Sequence, residues 1–290
     1  MYYTVSGGPP MSEEIIDTRA LFSEITEKLL SLLPSLGPEE WNAPTCYSRW
    51  KVKDIAAHLL QTGAGRLSRQ RDSWPSGEPL PSVDFNTLTD FILQSNEDWT
   101  SMLRDVSPAV LLDMISTTET QLAAFISSQE LSGRAFFPVA WAGENGDLNW
   151  LDLAREYTER WHHQQQIREA VNVPGIMTPR YLPPVIGTLI HAVPFWYESV
   201  EAEPGIRIQI DITGDSGTCR ILEKREEGWQ LTLNGLDRYD EKISLTDDTA
   251  WRFFMRSITR EEAAPLIQFS SDSHLCMGFL NVKAVMMKDS

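Results

Sequence analysis

Apolar residues recur at three- and four-residue steps through the first part of this chain and at every second position from Ile206 to Ile212. The two periods belong to different secondary structures, amphipathic helix and half-buried strand, so one chain must supply both. Between them lies a stretch crowded by Pro174, Pro179, Pro183 and Pro184, where neither pattern can run. The first region therefore predicts a helical bundle over residues 13–174. The second predicts an α+β unit over 180–288, a small antiparallel sheet with helices.

In the first region the spacing predicts a helix from Glu13 to Leu36, closed by Pro34 and Gly37-Pro38. A second starts near Val52, a third covers Phe85 to Leu103, a fourth runs from Pro108 to about Ile126, and a long one from about Trp150 to Val171. A proline-rich stretch from Pro75 to Pro81 separates the second and third. Beyond the boundary, Leu182 to Val200 reads as a helix kinked at Pro194. Strands follow around Ile206–Ile212, Cys219–Glu223, Trp229–Leu233 and Asp240–Leu245. Helices are expected over Asp247–Met255, after the capping box Thr259-x-x-Glu262, and over Leu275–Val285.

Composition narrows the partners. Hydrophobic residues make up 42%, with ten Trp, enough for a sizeable core. Forty-one acidic against twenty-five basic residues give a net charge of −16, which repels phosphate backbones and anionic lipid, so neither nucleic acid nor a membrane is an expected partner. No apolar run has transmembrane length. Residues 1–12 have neither the basic nor the apolar region of a signal peptide, and their Gly-Gly-Pro-Pro end suggests a flexible leader. Cys46, Cys219 and Cys276 are odd in number and lack zinc-knuckle or redox-pair spacing, which fits reduced thiols in a cytoplasmic protein.

Chemistry concentrates on two helices. Glu159 and His163 are four residues apart, so both project from one helix face. His162 points about 100° away, toward the expected solvent side. His58 sits inside the apolar stripe of the second helix. Separately, these are a surface pair and a core histidine. Together they form a two-His, one-carboxylate set that leaves coordination positions open, as catalytic zinc and non-haem iron require. No fourth protein ligand is evident, which argues against a structural zinc. There is no dinucleotide fingerprint, phosphate loop or Gly-x-Ser-x-Gly elbow. His191 reads as structural and His274 as exposed.

Longer motifs carry a resemblance. Trp41-Asn-Ala-Pro-Thr45-Cys precedes Trp50-Lys-Val-Lys-Asp54-Ile-Ala-Ala-His58-Leu. Arg155-Glu-Tyr-Thr-Glu159-Arg-Trp-His-His163 lies on the long helix, and Asp248-Thr-Ala-Trp251-Arg-Phe-Phe, with Glu262-Ala-Ala, comes later. This set resembles the mycothiol-dependent maleylpyruvate isomerase family, whose members have a DinB-like metal-binding four-helix bundle and a sterol-carrier-like C-terminal domain. The resemblance implies His58, Glu159 and His163 as metal ligands. The metal would be zinc, with nickel or iron as alternatives. It also implies a low-molecular-weight thiol, mycothiol or an analogue, acting on an electrophilic substrate by isomerisation or S-transfer. Two features depart from the family pattern. Gln166 and Ile167 stand where members often carry an Asp, leaving support for His163 open. The arginines expected for a dicarboxylate are unplaced: Arg69, Arg71, Arg252 and Arg256 are available, and Arg256 is the favoured anion contact. A non-catalytic module that binds a metal or small ligand on the same bundle is the alternative.

Overall fold

The computed structural model describes residues 15–47, 49–74, 85–233 and 238–287. The expected leader over 1–12, the Glu13 helix start, the Pro75–Pro81 stretch and residue 288 lie outside them. Helix α1 spans Arg19–Leu32 and passes into a 3₁₀ turn at Leu33–Ser35, where Pro34 removes the next helical donor. A single turn, α2 (Pro38–Trp41), leads to α3 (Val52–Arg66). The Asp54 carboxylate accepts the Lys51 N–H at 3.0 Å and so caps α3. Next come α4 (Phe85–Met102), α5 (Pro108–Ser127), whose first turn is capped by Ser107, and α6 (Asn149–Ala170).

Helix α3 packs on α5, α4 and α6, and α1 packs on α5 and α6. Gly63 permits the close approach of α3 to α5. A Cβ there would lie 2.9 Å from Glu119 Oε1 and 3.1 Å from Thr118 Cγ2. The seam behind it holds charges. Arg66, 1% exposed, donates two hydrogen bonds to Asp152 at 3.0 and 2.8 Å and a third to Glu156 at 3.1 Å. Arg160 pairs with Glu119 and Glu156, each at 3.1 Å, and donates to Thr62 Oγ1 at 2.8 Å. The three helices are thus tied by ion pairs out of water.

After α6 come α7 (Leu182–Leu189), a 3₁₀ turn at Ile190–Ala192, and α8 (Val193–Tyr197); the expected kink falls just before Pro194, which sits in the first turn of α8, and the helix ends at Tyr197, short of Val200. A five-stranded sheet follows in the order β3-β2-β1-β4-β5: β1 Arg207–Thr213, β2 Thr218–Arg225, β3 Gly228–Leu233, β4 Glu241–Thr246 and β5 Gln268–Phe269. The antiparallel expectation holds for β1–β2, β2–β3 and β4–β5, but β4 runs parallel to β1, so the sheet is mixed. Strand alternation tells which side chains are buried, not which strand lies alongside. Here the register places Ile210 beside Ile243 and Ile212 beside Leu245, aligning the buried side chains of both central strands.

Helix α9 (Asp247–Phe254) packs on β1, β4 and α7. The capping box at Thr259 and Glu262 opens only one turn, α10 (Arg260–Ala263). The helix expected over Leu275–Val285 is likewise short: α11 (His274–Met277) passes into a 3₁₀ turn at Gly278–Asn281. Beyond it the chain leaves helical geometry so that the Ala284 N–H can reach the Phe254 carbonyl at 2.8 Å. The core is continuous between the two regions, with Trp161 of α6 packed edge-on against Trp251 of α9 at 5.3 Å. No helix among the described residues is long and apolar enough to cross a membrane.

Substituting Arg66→Met should leave Asp152 and Glu156 short of a buried counter-charge and cost about 3–5 kcal/mol. Urea unfolding followed by circular dichroism measures this. A loss below about 1 kcal/mol would show that the seam does not hold the helices.

Candidate metal centre

Three side chains from two helices meet at the wall of a cavity of about 670 Å³. His58 comes from α3, whose backbone is held here by the Trp99 indole donating to the Ala57 carbonyl at 3.0 Å. Glu159 and His163 come from α6, one helical turn apart. One ligand atom from each of the three lies within 4.8 Å of the other two. Glu159 Oε2 is 3.3 Å from His163 Nε2, and the two imidazoles are nearly perpendicular with centroids 4.8 Å apart.

Each histidine is oriented from behind. Gln166 Oε1 lies 2.9 Å from His163 Nδ1, and Gln61 Oε1 lies 3.4 Å from His58 Nδ1. An amide oxygen only accepts, so Nδ1 donates in each pair, and His163 Nε2 faces Glu159. Gln166 fills the place left open by the missing Asp. The signal was present as His58-x-x-Gln61 and His163-x-x-Gln166, the same i,i+3 spacing on both helices. Trp50 flanks both imidazoles, 5.0 Å from His58 and 6.3 Å from His163, and Tyr47 packs edge-on against it.

The electrostatics suit a cation. Burial, then the neighbouring His163, depresses His58 to about 3, so its ring is neutral at physiological pH. Burial alone would raise Glu159. The hydrogen bond with His163 and the charge of Arg155 outweigh it and hold the carboxylate well below its usual range.

His162 departs from its expected place. It is buried, not solvent-facing. Its Nε2 meets Ser257 Oγ at 3.1 Å and its ring packs against Trp251 at 6.0 Å. The region after α9 covers the side of α6 that a bundle alone would leave wet. Burial depresses His162 to about 3 as well.

Of the four arginines considered, Arg256 lines the cavity and the others do not. Arg69 stacks on Phe137, Arg71 pairs with Asp72, and Arg252 pairs with Glu169 and Asp248. Arg256 has a left-handed backbone (φ 53°) and its guanidinium lies 5.0 Å over the Phe253 ring. A non-glycine residue in that region is strained, and such strain collects at functional sites. Arg49, Arg155 and Arg160 also reach the cavity and were missed. Arg155 precedes Glu159 by four residues, so helical phase could have found it. His191 packs edge-on against Trp150, and His274 is exposed, both as expected. Cys46, Cys219 and Cys276 are not joined in disulfides.

The family model for the mycothiol maleylpyruvate isomerase N-terminal domain matches residues 22–168, half of the chain. The chain belongs to this family. The matched segment contains His58, Glu159 and His163. Among solved structures, the chain is similar to a mycothiol-dependent maleylpyruvate isomerase and to a histidine-to-alanine mutant of it. Each is 11% identical over 88% of this chain and 92% of that chain, with a TM-score of 0.48. No curated protein matches the chain.

The two depressed histidines predict a pH dependence. Unfolded, His58 and His162 take up protons near pH 6.5; folded, they stay neutral to about 3. The unfolded state thus binds more protons between these values, so stability present above pH 6.5 is lost as pH falls toward 3. In chelator-treated protein the urea midpoint should fall below pH 6.5. His162→Asn should reduce that slope by about 1.4 kcal/mol per pH unit. An unchanged slope in the variant would mean that His162 titrates normally in the fold.

Proposed function

We propose that this protein is a metal-dependent enzyme that uses a low-molecular-weight thiol, mycothiol or an analogue, for isomerisation of the maleylpyruvate type or for S-transfer to an electrophile. The observation that carries this reading is the convergence of His58, Glu159 and His163 on the wall of a ligand-sized cavity. Two imidazoles and one carboxylate are a donor set that fits a divalent cation, and three protein ligands leave room for a further donor. Zinc suits the set best, while nickel and iron accept the same donors.

A cation held there would lower the pKa of a coordinated thiol and so supply, at neutral pH, a nucleophile able to add reversibly to a conjugated double bond or to remain attached to its acceptor. The chain's own side chains do the rest. Gln61 and Gln166 fix the tautomer and aim of the two imidazoles. Trp50 and Tyr47 shield the triad from bulk water on one side. Arg256, at the opposite element, offers a guanidinium to an anionic group of the substrate. Three cysteines outside disulfides fit a cytoplasmic location. The non-catalytic alternative drew on Gln166 as a departure from the family and on the unplaced substrate arginines; Gln166 meets His163 Nδ1 at 2.9 Å through a neutral amide, which orients the ring without adding charge.

His163→Ala should lose its stoichiometric metal by elemental analysis while keeping its helical circular dichroism. Metal retained at full occupancy would overturn the ligand assignment. Gln166→Leu should weaken metal affinity by about 10–100-fold, read by competition with a chelating dye. Turnover of electrophiles with mycothiol, bacillithiol or glutathione tests the enzyme reading, and ligand binding without turnover with any of them would favour the module.

A further inference from the structure

Gln166 has two ends, and one of them meets the triad. Its Oε1 lies 2.9 Å from His163 Nδ1, while its Nε2 donates to Cys46 Sγ at 3.4 Å. Among the described residues, Cys46 is the one partner of that Nε2. Gln166 is buried, so an N–H that lost this acceptor would be poorly placed to find water instead. Gln61 is held differently. Its Nε2 donates to the Ser95 carbonyl at 3.3 Å and to the Ser95 hydroxyl at 3.4 Å, both on α4. A main-chain acceptor remains there whatever side chain stands at position 95. The aim of Gln166 rests on a single side chain.

Cys46 is placed by a tight turn between α2 and α3. Thr45 Oγ1 donates to the Trp50 carbonyl at 2.8 Å, and the Thr45 N–H reaches the same carbonyl at 3.2 Å. The Val52 N–H closes on the Ala43 carbonyl at 3.1 Å. This turn brings Trp50 beside both imidazoles and Cys46 beside the amide behind His163. Cys46 is not a fourth ligand. Among the described residues, the mutually close donor atoms are those of His58, Glu159 and His163. Burial pushes the Cys46 thiol up, so at neutral pH it is an uncharged, weak acceptor.

We propose that Cys46 is a positioning residue for the metal centre: it holds the Gln166 amide with Oε1 toward His163 and so sets the aim of that imidazole. This rests on the reading of His58, Glu159 and His163 as metal ligands. The links run from Cys46 Sγ to Gln166 Nε2 and from Gln166 Oε1 to His163 Nδ1, at 3.4 and 2.9 Å. His163 Nε2 is the nitrogen that faces Glu159, at 3.3 Å. A histidine that ligates through one ring nitrogen donates from the other, and that donor needs an acceptor. The oxygen end of Gln166 supplies it, which leaves the amide N–H groups turned toward Cys46.

Zinc affinity, read by competition with a chelating dye, tests this in a double-mutant cycle. Cys46→Ala should weaken zinc binding by about three- to tenfold, the span of one neutral hydrogen bond. Cys46→Ser keeps an acceptor and should stay within about twofold of the wild type. In a Gln166→Leu background the same Cys46→Ala change should cost less than about twofold, because the group it acts through is gone. A merely structural role behaves otherwise: a turn that shifts Trp50 lowers affinity equally in both backgrounds. Equal losses in both backgrounds, wild-type affinity in Cys46→Ala, or a Cys46→Ser protein as weak as Cys46→Ala each overturn the proposal and leave the ligand assignment standing. Zinc affinity unchanged by His163→Ala overturns the ligand assignment, and this proposal with it.

Discussion

The candidate centre depends on a set of buried charges beside it. Arg66, Arg155 and Arg160 face Glu119, Asp152 and Glu156 in the seam between α3, α5 and α6. Buried ions are costly unless each finds a partner at close range, so this seam tolerates few relative placements of its helices. Apolar packing alone would let α3 slide on α6 by a fraction of a turn. A bidentate Arg66–Asp152 pair does not. His58 lies two turns before Arg66 on α3, and Glu159 lies seven residues after Asp152 on α6. Holding one contact therefore sets the other.

Helix α6 carries this division of labour in its spacing. Asp152, Glu156 and Arg160 succeed one another at four-residue steps along the stripe that faces the seam. Arg155, Glu159 and His163 do the same along the neighbouring stripe, which lines the cavity. One stripe fixes position and the other presents ligands. Arg155 joins the two, since it binds carboxylates of the first and lowers the pKa of Glu159 in the second. The mean hydropathy of such a helix reads as surface, yet nearly all of it from Asn149 to Ile167 is buried.

That contradiction marks what could be read from sequence and what could not. The helices of the first region were legible because their apolar stripes and prolines are local signals. The triad was legible because Glu159 and His163 share a helix face and His58 stands out inside an apolar one. His162 was misplaced because phase along a helix assigns faces only relative to an assumed solvent side, and the covering element lies about ninety residues away at Ser257. The parallel β1–β4 pair was hidden for a related reason: alternation specifies a strand's buried face and is silent on its neighbour. The His-x-x-Gln pairs were visible, but a glutamine supporting a histidine looks no different from a surface glutamine until the distance is known.

The cavity's two walls come from regions with different constraints. Its ligand wall is built on α3 and α6, where any change of register also breaks buried ion pairs. Its other wall is built on Met255, Arg256 and the segment Val285–Met287, held by backbone and aromatic contacts away from the seam. Side chains on that second wall can change size or charge without disturbing the helices that bring His58 to His163. A chain built this way can hold the geometry of His58, Glu159 and His163 fixed while the opposite wall changes.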